Sequence, residues 1–238
     1  MFHQWNLSDY QSGQVLLFDK PLHWTSFQLV NKVRWIIKKK FGIKKIKVGH
    51  AGTLDPLATG LVIICVGKKT KEINQYMGMP KTYTGTFHLG ATTPSYDLET
   101  EIDQNFEIDH ITSEKIQAVV HQFQGEIDQQ PPVFSALKKE GKRLYEYARK
   151  GEDVEIPTRK VMIHDFSITQ ERMPEFDFEV RCSKGTYIRS LANDFGKALD
   201  SGAYLSKLRR TQIGQFKVGD ALQLDTFIDQ MKISTSHE

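Results

Sequence analysis

The chain has 238 residues, 39% of them hydrophobic and 26% charged, an ordinary balance for a globular protein and enough chain to bury a core without disulfide or metal staples. Its longest apolar run, Gly60–Gly67, has the length of a strand and falls short of the roughly 18 residues of a membrane span; the opening MFHQWNLSDY lacks the basic-then-apolar pattern of a signal peptide, so the expectation is a cytoplasmic protein with no membrane partner. Net charge is only +3, too small to declare a polyanion-binding protein by itself.

In chain order, Val15–Phe18 reads as a strand stopped by Asp19-Lys20-Pro21. Thr25 or Ser26 can cap a helix running to about Lys40, with Phe27, Val30, Val33 and Ile37 as its apolar face. Gly49–Gly60 is loop-like, and Leu61–Val66 is an apolar strand covered on both faces. Lys81–Gly90 alternates, placing Tyr83, Gly85, Phe87 and Leu89 on one face of a half-exposed strand. Thr92–Asp109 looks like an inserted acidic loop. Ile116, Val119, Val120 and Phe123 mark a helix that ends at Gly125, and a short helix covers Arg143–Lys150. Strands follow at Lys160–Ile168 and Phe176–Cys182, then a helix from about Thr186 to Leu199 with Ile188, Leu191, Ala192, Phe195 and Leu199 inward. A last short helix covers Asp225–Met231. Strands and helices do not alternate strictly, so the fold class is α+β with a large, mostly antiparallel sheet flanked by helices. No repeat or long linker divides residues 1–238, which read as one domain.

The charge is segregated. Lys32, Arg34, Lys38, Lys39, Lys40, Lys44, Lys45 and Lys47 crowd one stretch without an acid, and Lys207, Arg209 and Arg210 form a second cluster. Asp97–Asp109 holds six acids and neither Lys nor Arg. This pattern fits a polyanion-binding face, or a solvated helix with surplus lysines. Cys65 and Cys182 sit in separate apolar runs and read as buried thiols. The eight histidines are scattered without ligand spacing, so no metal is expected.

Chemistry concentrates in VGHAGTLDPLATGLVIICVG, Val48–Gly67. Asp55-Pro56 alone is as consistent with a helix cap as with catalysis, His50 alone with a turn, and Tyr83 alone with an ordinary strand aromatic. The longer strings say more. GHAGTLDPLATG, LLFDKP with the following WTSF, KTYTGTFHLG, PPVFSALKKEGKRLYEYARKG, CSKGTYIRSLANDFG and LSKLRRTQIG stand in order between about Val15 and Phe216. Together they resemble the bacterial tRNA pseudouridine-55 synthases, the TruB family; so many ordered strings make the match specific.

That resemblance implies a pseudouridine-synthase-like fold and the isomerisation of a uridine in the tRNA T-loop. The glycosidic bond breaks, the base turns, and it rejoins through carbon 5 without redox change, so no cofactor is expected. Asp55 matches the essential aspartate, whose carboxylate is ionised at neutral pH. Tyr83 matches the active-site tyrosine, able to stack on the uracil. Arg189 is implied to hold the Asp55 carboxylate with forked hydrogen bonds, with Asp97 on its other side, although TTPSYDLET departs from the fuller acidic run of relatives. Tyr187 and Leu208 are implied to line the uracil pocket, and His50 to fill the stack left by a flipped base. Lys20, Lys71 and the basic clusters would hold phosphates. Only a short extension, 217–238, stands where many relatives carry a PUA-type domain. The implied state is a monomer working on tRNA without a guide RNA. The other readings are a non-catalytic RNA binder on the same scaffold and the guide-dependent branch of the superfamily; a glycosidase would need a second carboxylate.

Overall fold

A computed structural model of the chain describes residues 5–135, 137–139, 142–148 and 154–232. The chain divides into two compact units, Met1–Lys81 with Arg209–Glu238, and Thr82–Leu208.

In the first unit, Gln14–Lys20 pairs antiparallel with Ala58–Val66, Leu16 opposite Ile64 and Phe18 opposite Val62. Val48–His50 pairs with the end of the same strand, His50 opposite Ile64. Every residue of Ala58–Val66 except Thr59 is buried, as its unbroken apolar run requires of a strand covered on both faces. The next strand across carries Arg209–Ile213. Beside the sheet lies the helix Ser26–Phe41. Thr25 caps it in a reciprocal box with Gln28, and Gly42 ends it in the left-handed conformation, φ 63°, both signals the sequence carries. Its buried face is Ser26, Leu29, Val30, Val33, Ile36 and Ile37. Phe27 is not part of it and is 64% exposed. At 3.6 residues per turn, Phe27 lies about 120° round the axis from Val33, outside the core-facing stripe. Near the chain's end, Leu222 bridges to Phe18, and the Phe18 and Phe227 rings meet edge to face at 5.3 Å.

In the second unit the strands run in the order Ala203–Leu208, Thr82–Leu89, Glu175–Cys182, Arg159–Arg172 and Gly125–Gln129. The two pairings made by Arg159–Arg172 are antiparallel. Phe87, Phe166 and Phe176 of this sheet gather round Phe195 of the helix Ile188–Ala198, and Phe178 packs on Phe87. The five inward residues expected of that helix and its end, Ile188, Leu191, Ala192, Phe195 and Leu199, are buried. Gly85 lets the strands close up: a Cβ there would sit 2.3 Å from the Lys207 carbonyl oxygen and 2.8 Å from the Phe178 ring. Thr92–Asp109 contains a two-residue pairing, Ala91–Thr92 with Gln104–Asn105. The short helix spans Leu144–Ala148; of its expected range, Arg143 belongs to the strand Lys142–Arg143 and 149–150 lies outside the described residues.

Val48–His50 is a strand where the sequence reads as loop from Gly49, and two longer strands also have no counterpart in the sequence reading. Gly125–Gln129 follows the Ser113–Gln122 helix at once, and Ala203–Ile213 crosses from one unit to the other. The latter hides its period because Lys207, Arg209 and Arg210 interrupt it, and one of them points inward.

Candidate active site

Asp55 is half-buried in the first unit, on the connection between Val48–His50 and Ala58–Val66. The backbone on which it stands is held residue by residue. Ala51 N–H donates to the Ile63 carbonyl at 2.9 Å. Leu54 N–H donates to Ser26 Oγ at 2.9 Å, and that hydroxyl donates to the Leu54 carbonyl at 3.2 Å. The Asp55 carbonyl accepts from Ala58 N–H at 3.1 Å, and the Pro56 carbonyl from His23 N–H at 2.8 Å. Gly52 has φ 100°, a conformation that glycine supplies without strain.

Beneath this loop lies Arg210, 1% exposed. Its Nε donates to the Leu61 carbonyl at 2.7 Å, and its two terminal nitrogens to Thr53 at 3.4 Å and Gly52 at 3.2 Å. Arg209 forks onto Asp19 at 2.7 and 3.0 Å. These two arginines, expected on phosphates, are therefore engaged within the protein, Arg210 wholly. Lys20 is corrected likewise: it is 0% exposed, and its ammonium donates to the Trp24 carbonyl at 2.6 Å and the Pro21 carbonyl at 2.9 Å. Burial brings its pKa down to about 8, with the nearby Asp55 charge pulling it up and Arg210 pushing it down. A buried cation with its donors on carbonyls is not available to a phosphate in solution.

His50 is half-buried. Burial lowers its pKa below 6.5, a backbone contact with Gly52 opposes this, and the Arg210 charge adds to it. Its neutral ring is thus favoured. Lys71 is exposed and borders a cleft of about 610 Å³ with Arg34, Lys38, Lys44, Lys45 and Lys47. The basic stretch therefore converges on one concave surface, the form that concentrates an anion-attracting field. Trp35, 42% exposed, carries the ammonium groups of Lys32 and Lys39, each 4.8 Å from its ring centroid.

In the second unit, Tyr83 is buried to 8% exposure on Lys81–Leu89. Arg189 opens the helix Ile188–Ala198 and is buried beside Asp97, Nε to Oδ2 3.6 Å, while a terminal nitrogen donates to the Ser95 carbonyl at 3.2 Å. Asp97 also accepts from Glu99 N–H at 3.0 Å, and its backbone bridges to Leu205. Tyr187 is the N-cap residue, half-buried, with the Arg159 guanidinium 4.7 Å from its ring centroid. Leu208 is half-buried on Ala203–Ile213.

Three residues that order these loops escaped the sequence reading in that role. Ser26 was weighed only as a cap. Arg210 was placed with surface cations. Gln129, fully buried, accepts from Tyr187 N–H at 2.8 Å and donates to its carbonyl at 3.0 Å, fixing the start of the helix that carries Arg189. Its only signal is a polar residue before Gln130-Pro131-Pro132.

Comparison with known proteins was made on this framework. A family model described as the N-terminal domain of TruB family pseudouridylate synthases matches residues 38–188, and one described as the tRNA pseudouridylate synthase B C-terminal domain matches 189–238. The chain is 60% identical over 225 residues to a tRNA pseudouridine synthase B of Flavobacterium johnsoniae, covering 94% of this chain and 98% of that protein. It is 52% identical over 228 residues to one of Phocaeicola vulgatus, covering 94% and 97%. Among solved structures it is similar to a chain of a Cbf5–Nop10–Gar1 complex, with TM-score 0.68 and 30% identity, over 92% of this chain and 54% of that one. A chain of an H/ACA RNP bound to a substrate RNA containing 2'-deoxyuridine gives TM-score 0.67 and 26% identity, over 95% and 56%. The chain thus spans about half the length of these solved chains.

Proposed function

The chain belongs to the TruB family of pseudouridylate synthases, and from that premise we propose that it isomerises uridine to pseudouridine in tRNA, at position 55 of the T-loop. The observation that carries the reading is Asp55, a carboxylate on a loop whose backbone is pinned from Ala51 to Ala58. A group that must meet a sugar or base carbon within a few tenths of an ångström needs such a mount.

The reaction balances within the substrate. The bond from ribose carbon 1' to uracil nitrogen 1 breaks, one from carbon 1' to carbon 5 forms, and the carbon 5 proton leaves as nitrogen 1 gains one. Asp55 acts as the carboxylate at the reacting centre. Tyr83 gives a flat face for the uracil, worth about 1–3 kcal/mol per stacked base. Arg189, held by Asp97, supplies fixed positive charge, and Tyr187 and Leu208 complete the apolar lining. The exposed cations of Lys32–Lys47 and Lys71 hold phosphates, which position the RNA without reading its sequence. Among the described residues no helix is long and apolar enough to cross a membrane. The proposed state is a cytoplasmic monomer that needs no guide RNA.

The deciding experiment is tritium release from 5-tritiated uridine in a tRNA transcript, with no guide RNA added. One tritium per tRNA, lost when position 55 of the transcript is changed to cytidine, is expected. No release from the wild-type transcript would overturn the reading.

Two expectations follow from the RNA-facing residues. Changing Lys38, Lys39 and Lys40 to Gln is expected to weaken tRNA binding and flatten its dependence on salt, because each lost phosphate contact removes roughly 0.7–0.9 from the log–log slope. An unchanged slope would place the RNA on another face. His50 acts in base extrusion, for which a flat or bulky group suffices. His50→Phe and His50→Gln should retain partial activity and His50→Gly less. Burial lowers the His50 pKa from 6.5 and favours the neutral ring, so the rate at and above pH 7 should not follow a histidine titration. A short RNA presenting its uridine unpaired should tolerate His50 loss better than the folded T-loop, since less unstacking is required. Equal losses on both substrates, with a titration that vanishes in the variants, would assign His50 to proton transfer.

A further inference from the structure

Arg210 sits where a surface cation would be useless to RNA and where a loop support is needed. Gly60 makes the seat. It has φ 105°, and a Cβ on it would lie 2.3 Å from the Arg210 carbonyl oxygen and 2.7 Å from its backbone nitrogen, so only glycine admits the strand this close. From that seat the side chain turns under the Asp55 loop. Its three donors reach Leu61, Thr53 and Gly52 carbonyls, the last two lying two and three positions before Asp55. Leu54, between them and Asp55, is held by Ser26. The guanidinium also lies close enough to Lys20 and His50 to disfavour their charged forms.

We propose that Arg210 is a positioning residue for Asp55, fixing the backbone of Gly52 and Thr53 so that the carboxylate meets the uridine in a reactive pose. The assignment rests on the synthase reading above. Three carbonyls on two chain segments converge on one planar group, and a buried carbonyl left without a donor is costly. Only a forked cation spans all three. Lysine is a point charge on a flexible stem and cannot face Thr53, Gly52 and Leu61 together. Without the fork the loop keeps its ends and loses its middle, and a displacement of about 1 Å at a reacting group costs about a hundredfold in rate.

The test compares Arg210→Lys and Arg210→Met with wild type in single-turnover tritium release and in tRNA binding, at a temperature where circular dichroism shows each variant folded. The wild-type rate in the same assay tests the synthase reading; the variant-to-wild-type ratio tests Arg210. The expected result is a single-turnover rate lowered at least about tenfold for Lys and about a hundredfold for Met, with tRNA Kd within about threefold of wild type. An arginine that merely supports the fold would lower the active fraction, so burst amplitude and bound tRNA would fall together while the rate of the folded fraction stayed unchanged. That outcome, a rate within about threefold of wild type, or failure of both variants to fold would overturn the assignment.

Discussion

Asp55→Asn is expected to abolish turnover while leaving tRNA binding intact. The amide has the shape of the carboxylate and can keep its place on the pinned loop, so the change isolates the charge. Whether the carboxylate attacks the base, attacks the sugar or removes a proton from the sugar, the amide does none of these at neutral pH. Removing a negative charge near a polyanion does not weaken binding, so Kd should be unchanged or slightly lower. Single-turnover tritium release should fall by at least about a thousandfold, the scale for losing a group that acts only in the transition state. Residual activity above that level in protein free of wild-type carry-over would count against Asp55. A parallel loss of binding would instead assign it to RNA recognition.

The second large effect is expected at Arg189, where even lysine should fail. The guanidinium is buried, 3.6 Å from Asp97 and bonded to the Ser95 carbonyl. These contacts fix its orientation inside the unit. Lysine brings the same charge without the planar fork, and it leaves Asp97 buried beside a mobile ammonium. The rate is expected to fall by roughly 10²–10³-fold, as when one preorganised electrostatic donor is removed. Asp97→Asn should fall less, because the Arg189 guanidinium stays in place on the Ser95 carbonyl. A near-normal rate in Arg189→Lys would show that the residue serves only the packing of its helix.

Much of the architecture is written in local chemistry. Thr25 with Gln28, Gly42 after Phe41 and the unbroken run to Val66 each state an element and its limits through capping, φ preference and burial. The ordered strings from LLFDKP to LSKLRRTQIG carried the family, and the family models and high-identity relatives agree with it. What stayed hidden is non-local. Lys20 and Arg210 have the composition of surface cations, and composition does not announce the carbonyls that receive them. Those for Lys20 are local, on Pro21 and Trp24, but those for Arg210 come from Gly52, Thr53 and Leu61, far along the chain. Phe27 erred in the opposite sense, an aromatic at helical spacing that sits off the core-facing stripe. Ala203–Ile213 was missed because a strand with a buried arginine shows no clean alternation.

The unit that bears Asp55 is assembled from two separated stretches of the sequence, Met1–Lys81 and Arg209–Glu238, with all of Thr82–Leu208 synthesised between them. Closing such a long excursion carries an entropic cost that is met only once the late segment has docked. During synthesis the glycine-rich loop therefore emerges early and waits for its guanidinium until all of Thr82–Leu208 has been translated. A nascent chain halted before Arg209 leaves the Gly52 and Thr53 carbonyls without the guanidinium that donates to them. The loop thus gains its central support in one late step, when Arg210 docks, and not gradually as the chain lengthens.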